Sequence, residues 1–110
     1  MTQSHPYVFT LLVEVGRAPD DGLPQGSTGA ALICYSSGRD EAEAVRETVN
    51  VLKIADLAPL NVSSYGTQEE RVKEGHDLTE EEHALMNQAL SENAVIVAQI
   101  TPFFDEDRKE

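Results

Sequence analysis

Apolar residues alternate with other residues along the first segment that the sequence predicts to be a strand. From Tyr7 to Val15 every odd position is apolar, whereas the even positions also include Thr10 and Glu14. A period of two is typical of a strand, and two unequal faces indicate that only one of them is fully covered. We therefore predict a strand over Tyr7–Val15 that lies inside a sheet.

Three further segments are short enough and apolar enough to be strands. Two are continuous apolar runs bounded by turn residues, which is typical of buried strands. The third alternates, which is typical of a half-buried or edge strand. They bring the predicted sheet to four strands, and they cover Ala30–Tyr35, Leu60–Tyr65 and Ala94–Ile100.

Two longer segments carry apolar residues at spacings of three and four, as on one face of a helix. The first begins after Asp40 and ends near Leu57, and the second begins after Thr79 and ends at Asn93. Each starting residue is a good N-cap and is followed three residues later by glutamate, which is the capping-box pattern. The same pattern predicts a short surface helix within Thr67–Gly75.

The resulting order of main elements is ββαβαβ. We predict an α+β fold, a two-layer open-faced sandwich in which both main helices cover one face of a four-stranded sheet. This architecture is ferredoxin-like in general terms. Residues 1–110 are expected to form a single domain, with a flexible N-terminus over 1–6, a long Gly/Pro loop over 16–29 and a charged tail over 105–110.

The charge balance changes the picture of possible partners. The chain has 20 Asp and Glu against 8 Lys and Arg, which gives a formal net charge of −12. Such a surface repels phosphate backbones and anionic lipids, so we expect neither nucleic acid nor membrane as a partner. Acidity also keeps a small domain in solution, and it permits a basic protein partner.

The chain has one cysteine, Cys34, so no internal disulfide can form. Residues 1–6 lack the basic and apolar regions of a signal peptide, and no apolar run approaches a membrane-spanning length. These features favour a cytoplasmic protein of bacterial type. Cys34 lies within an apolar run and is expected to be a buried, inert thiol.

The glycine-rich loop does not carry a phosphate-binding motif. Gly22, Gly26 and Gly29 surround Ser27 and Thr28, but no lysine follows to reach a phosphate. The loop also joins two predicted strands, whereas a dinucleotide fingerprint joins a strand to a helix. No cofactor is predicted, and no catalytic residue can be assigned.

Three residues are the candidate metal ligands: His76, Asp77 and His83. Two imidazoles and a carboxylate suit several metals, but the sequence specifies no closed set of ligands, so no metal is predicted. An acidic stretch around them is the candidate interaction surface. It comprises Glu69, Glu70, Glu74, Asp77, Glu80, Glu81 and Glu82.

Three functions are left open by these observations. The preferred interpretation is a non-catalytic interaction module, expected to form a homodimer that buries the uncovered second face of the sheet, unless Phe103, Phe104 and the long loop fold over that face within one chain. One alternative is a small-ligand protein or enzyme that uses Gly16–Gly29 as a lid, with Asp20 and Asp21 as its polar groups. The other is an acidic inhibitor of a basic protein, like an immunity protein or antitoxin.

Overall fold

A computed structural model describes residues 6–104, which form four strands and three helices. The predicted flexible N-terminus, apart from Pro6, and the predicted charged tail lie outside the described residues. In chain order the elements are β1 (Tyr7–Gly16), β2 (Ser27–Gly38), α1 (Glu41–Ile54), β3 (Ala58–Thr67), α2 (Gln68–Lys73), α3 (Glu80–Glu92) and β4 (Val95–Phe104).

The element order confirms the prediction, but several boundaries move. β2 and β4 both extend beyond their apolar runs, because their added residues pair with each other, as Ser27 does with Phe104. α1 ends at Ile54, earlier than predicted. Asp56 there adopts a left-handed φ of 69°, and the Leu57 N–H donates to the Leu52 carbonyl at 2.9 Å, which closes the helix.

The helix starts follow the predicted caps. The side chains of Thr67 and Thr79 form complete capping boxes with the glutamates three residues on. Asp40 accepts from the Glu43 N–H at 2.8 Å, but the Glu43 carboxylate turns back to the Arg39 N–H, so that box is half formed. None of the three helices within residues 6–104 is long and apolar enough to cross a membrane.

The sheet is antiparallel throughout, with the strand order β3-β1-β2-β4. The α+β class is therefore confirmed. The ferredoxin-like arrangement is not, because this strand order differs from it. The strands β1 and β2 are central, and β3 and β4 form the two edges of the sheet.

The two main helices lie on opposite faces of the sheet, so the predicted two-layer sandwich is wrong. On the first face, Leu11 and Leu32 pack with Ala44 and Leu52 of α1. On the second face, a separate cluster joins the strands to α3, and its buried members are Val8, Tyr35, Met86 and Ala89. Residues 6–104 therefore form three layers, with α1 on one side of the sheet and α2 and α3 on the other.

The even positions of β1 explain this arrangement. Val8 and Thr10 are 2% exposed, so the second face is apolar enough near the start of β1 to bury a helix. α1 already fills the first face, where Ser36 of β2 hydrogen-bonds to Thr48 of α1 in the interior. The chain that leaves β3 must reach the opposite edge of the sheet, and it crosses over the free face as α3.

Candidate functional site

A cleft opens on the second face of the sheet, between the strands and the two helices that cover it. Its volume is about 350 Å³, which lies at the lower end of the range for small-molecule pockets. The strands contribute its floor and the helices its walls. The lining residues are Thr10, Ile33, Tyr35, Tyr65, Arg71, Glu81, Glu82, Leu85, Ala98 and Gln99.

Four polar side chains meet in two hydrogen-bonded pairs in the cleft. The hydroxyl of Tyr35, a residue that is 2% exposed, lies 3.5 Å from Oε2 of Glu82. Nη1 of Arg71 donates to Oγ1 of Thr10 at 3.1 Å. A cation and an anion therefore flank one buried tyrosine.

Burial and these two charges together shift the pKa of Tyr35 upward. Burial raises it, the Glu82 carboxylate raises it further, and the Arg71 guanidinium opposes the rise. A phenol with a raised pKa remains protonated at neutral pH, so the Tyr35 hydroxyl is a hydrogen-bond donor and not a nucleophile. The arrangement offers fixed charges and hydrogen bonds to a bound molecule.

A helix cap holds Glu82 in position, and two side-chain hydrogen bonds hold Arg71. Oε1 of Glu82 accepts from the Thr79 N–H at 2.8 Å, which completes the cap of α3 and leaves Oε2 facing Tyr35. Arg71 lies on α2, which begins immediately after β3. Its Nε donates to Nδ1 of His76 at 3.1 Å, so the guanidinium is held at two points.

Arg71 has no carboxylate partner in the described part of the chain. The ion pairs found between residues 6 and 104 join Arg17 to Asp21, Arg39 to Glu43 and His76 to Glu74. A half-buried arginine without an acidic partner is unusual in a chain with a net charge of −12. Its remaining N–H groups are available to a ligand in the cleft.

The edge formed by β4 is a second surface with binding capacity, and we define the β4 edge as Val95–Phe104. An edge strand presents a row of unpaired backbone donors and acceptors. No residue of this strand carries a charge. Its exposed apolar side chains are Val97 at 38%, Ile100 at 51% and Phe103 at 41%.

The structure also shows that Phe103 and Phe104 belong to β4, where they pair with Gly29 and Ser27. The interpretation that these two phenylalanines fold over the second face is therefore wrong. α3 covers the second face near Val8 and Tyr35 within the same chain. A dimer is thus not needed to bury that part of the face.

The predicted acidic interaction surface follows α2, the turn after it and the start of α3. Two of its members have structural roles, since Glu70 and Glu82 complete the capping boxes of these helices. Glu82 also faces the cleft. The remaining five side chains are exposed, and they are Glu69, Glu74, Asp77, Glu80 and Glu81.

The candidate metal ligands are not brought together. Nδ1 of His76 accepts from Arg71, whereas Nδ1 of His83 lies 2.8 Å from the amide nitrogen of Gln68. Asp77 is exposed in the turn before α3. Within residues 6–104, no group of three His, Cys, Asp or Glu side chains is placed to hold a metal ion.

The Gly/Pro loop is tied to itself and does not line the cleft. The Asp21 side chain accepts from Nε of Arg17 at 2.9 Å and from the backbone N–H groups of Ala18 and Leu23 at 2.8 and 3.0 Å. These bonds, that of Arg17 first, hold the pKa of the Asp21 carboxyl well below its usual range. Asp21 therefore anchors the loop and is not turned toward a ligand.

Cys34 is buried on the first face, away from the cleft. Desolvation raises the pKa of its thiol to about 12. A thiol that is protonated at neutral pH neither attacks a substrate nor binds metal readily. The prediction that Cys34 is buried is confirmed, and the raised pKa agrees with the predicted inertness.

The fold and these surfaces define a small α+β domain with a four-stranded antiparallel sheet and a polar cleft on one face. Residues 8–104 match the family described as Domain of unknown function (DUF8846), and the chain belongs to that family. No curated protein and no solved structure shows significant similarity to the chain.

Proposed function

We propose that this protein is a homodimeric interaction module in which two copies pair through their β4 edges. The observation that carries the proposal is an edge strand of ten residues without a single charge, on a chain whose net charge is −12. Natural proteins normally protect such an edge with charges, bulges or a covering segment. Two copies that pair through β4 bury it.

The opposite edge strand, β3, is also ten residues long and free of charged residues, but it is better protected. Both register shifts between β1 and β3 leave an extra residue in β3, whereas only one of the two shifts between β2 and β4 leaves an extra residue, Ala98, in β4. Such bulges twist β3 away from further pairing. Each edge strand contains one proline, Pro59 in β3 and Pro102 in β4, so a missing backbone donor does not distinguish the two edges. The exposed leucine of β3, Leu60, folds over Gly16, where an added Cβ would lie 3.3 Å from Leu60 Cδ1. The protection of β3 leaves β4 as the favoured edge.

Antiparallel pairing of two β4 strands is self-complementary, as a two-fold interface requires. It would extend the sheet from four strands to eight. Val97 and Ile100 lie on the first face, since they pair with Cys34 and Leu32. In the dimer they would pack beside the same residues of the second copy. Pro102 lacks a donor, so the pairing would centre on the residues before it.

The net charge opposes association, because each copy repels the other over the range set by salt screening. An uncharged strand brings the two copies together with the fewest like-charge contacts at the interface itself. A buried interface core is commonly poor in charged residues.

A cytoplasmic location is part of the proposal, supported by the buried and unpaired state of Cys34.

Light scattering coupled to gel filtration tests the proposal on the full chain and two variants. The wild type is expected to elute with twice the mass of the 12.0 kDa chain at about 100 µM. Ile100→Glu places a charge at the interface and is expected to give a monomer. Leu60→Glu, an equal change at the β3 edge, is expected to stay dimeric.

A folded wild-type monomer at this concentration would overturn the proposal. A dimer that Leu60→Glu disrupts and Ile100→Glu leaves intact would move the interface to the other edge and would also overturn it. Far-ultraviolet circular dichroism of each variant shows whether a lost dimer reflects lost pairing or a lost fold.

A further inference from the structure

The charged groups of the cleft are arranged for a ligand that carries both charges. Arg71 and Glu82 both approach the Tyr35 hydroxyl, one from α2 and the other from α3. They do not form an ion pair with each other at 4.0 Å or less. A half-buried cation and anion that flank a hydroxyl without neutralising each other leave both charges available to a third group.

We infer that the cleft binds a small zwitterion of the α-amino-acid class. The single proton of the Tyr35 hydroxyl stays hydrogen-bonded to Glu82. The ligand carboxylate accepts hydrogen bonds from the Arg71 guanidinium. Its ammonium group donates to the carboxylate of Glu82, with the exposed Glu81 beside it at the mouth. Its side chain lies against the apolar part of the lining.

The net charge of the protein and the charged side chains of the cleft disfavour a simple anion or a simple cation as the ligand. A free anion is repelled by a net charge of −12 and by the two glutamates of the cleft. A free cation is attracted to those glutamates but meets the Arg71 guanidinium at the base. A zwitterion is neutral overall and finds an opposite charge at each end, so it avoids both penalties.

The apolar part of the cleft has room for a side chain. Ile33, Ala98 and Leu85 contribute aliphatic surface, and Tyr65 adds an aromatic ring on a residue that is 44% exposed. A volume of about 350 Å³ accepts one amino acid with a branched or aromatic side chain. The lining is more polar than that of most small-molecule sites, which are mainly apolar with a few convergent polar groups, and a ligand with two charges suits it.

The register between β1 and β3 explains why Tyr65 lines the cleft. β1 and β3 shift register between Thr10 and Leu11, and Tyr65 is the residue that the shift leaves without a partner on β1. Bulges of this kind are common beside binding sites, because they redirect a side chain. Here the displaced residue is Tyr65, which lines the cleft.

Nuclear magnetic resonance titration of the full ¹⁵N-labelled chain tests the inference with three matched compounds. L-phenylalanine carries both charges, N-acetyl-L-phenylalanine lacks the ammonium, and L-phenylalanine amide lacks the carboxylate. We expect L-phenylalanine to shift the amides of Tyr35, Arg71 and Leu85. Each blocked compound is expected to bind at least about tenfold more weakly, because each loses one charge-assisted hydrogen bond.

Three variants assign the two ends of the ligand. Glu82→Gln keeps the cap, since glutamine also forms capping boxes, but removes the charge that holds the ammonium. Arg71→Gln removes the charge that holds the carboxylate. Both are expected to weaken L-phenylalanine binding about tenfold or more. Arg46→Gln, a matched loss of charge on the exposed part of α1, is expected to leave binding unchanged.

A variant that only disturbs the structure would weaken the binding of all three compounds alike, whereas the loss of one ligand contact changes their relative affinities. In Glu82→Gln, N-acetyl-L-phenylalanine is expected to bind as well as L-phenylalanine, because the ammonium has lost its partner. The inference fails if L-phenylalanine and L-leucine at about 10 mM leave the cleft resonances in place, or if either blocked compound binds the wild type as tightly as the free amino acid.

Discussion

Tyr35 and Glu82 link the sheet to α3, with the tyrosine hydroxyl 3.5 Å from one carboxylate oxygen while the other oxygen caps the helix. One glutamate thus serves the helix start and the cleft at the same time. Arg71 approaches the same hydroxyl from α2. The pKa of Tyr35 consequently reports on both charges, and two substitutions are expected to move it in opposite directions.

Glu82→Gln is expected to lower the pKa of Tyr35, because it removes a negative charge that disfavours the phenolate. Arg71→Gln is expected to raise it, because it removes a positive charge that favours the phenolate. Absorbance titration at alkaline pH, with Tyr35→Phe to identify the contribution of Tyr35, measures both shifts. Equal pKa values in the three proteins would show that the charges do not converge on this hydroxyl.

The Arg17–Asp21 pair predicts how stability depends on pH. The pKa of Asp21 in the folded state lies below its unfolded value of about 3.9. The contribution of the Arg17–Asp21 pair to the free energy of unfolding is therefore fully present above about pH 3.9. It is lost as the pH falls toward the folded pKa. Asp21→Asn is therefore expected to lose less stability than the wild type between about pH 5 and pH 3, measured by urea unfolding.

Asp20→Asn serves as the control for the Asp21 experiment. Asp20 is exposed and adjacent, and the substitution makes the same change in charge. It is expected to follow the wild-type pH dependence, because its carboxylate has no guanidinium contact in the described structure. If the stability of the two variants depends on pH in the same way over this range, the hydrogen bonds of Asp21 do not stabilise the loop.

The placement of α3 on the second face predicts a large effect for its buried methionine. Met86 is 0% exposed, and Met86→Ala is expected to destabilise the fold by about 2–5 kcal/mol, as large-to-small core substitutions do. Asn87→Ala, one residue on and exposed, is expected to change stability by no more than about 0.5 kcal/mol. Urea unfolding at neutral pH measures both. If Met86→Ala lowers the stability as little as Asn87→Ala does, Met86 is not packed between α3 and the sheet.

Cys34 is expected to resist modification in the native protein. Its thiol pKa of about 12, against 9.0 for an unperturbed group, lowers the thiolate fraction on the order of a thousandfold at about pH 8. Ellman's reagent should label it slowly in buffer and rapidly in denaturant. Rapid labelling of the folded chain would show that the first face opens near Cys34.

Local features of the fold were readable from the sequence, because they depend on a few neighbouring residues. Thr67 and Thr79 each have glutamate three residues later, and both pairs form complete caps. Asn93 ends α3 in the left-handed conformation, with φ at 51°. Such patterns fix where elements begin and end, and they predicted the order of the elements correctly.

The face on which α3 lies was not readable, because both faces of β1 carry apolar residues. Val8 and Phe9 are neighbours in sequence and lie in different clusters. Strand order depends on contacts between distant segments, which alternation alone does not specify. The assumption that both helices share one face led directly to the wrong two-layer fold.

The cleft was also missed, because its residues carry no motif. Tyr35 ends an apolar run and was interpreted as a strand residue, and Arg71 lies in a short helix with little apolar character. Thr10, which binds Arg71, is 61 positions away in the chain. One available signal was the capping glutamate Glu82, since its position in the box fixes where its carboxylate points.

Salt separates self-association from docking onto a basic partner. Two copies with a net charge of −12 repel each other, so screening is expected to strengthen the β4 dimer as salt rises from about 20 to 500 mM. An acidic inhibitor would release its basic partner over the same range. Sedimentation equilibrium at both salt concentrations measures the effect, and a dimer that weakens with salt would contradict an uncharged interface.

The most direct test of the β4 dimer is a filtered nuclear Overhauser experiment on a mixture of ¹³C-labelled and unlabelled chains. This experiment detects only contacts between copies. Pairing through β4 predicts intermolecular contacts among the side chains of Val97 and Ile100, with none at Leu60 on the opposite edge. A spectrum without intermolecular contacts at β4, from a sample at about 1 mM, would contradict the account.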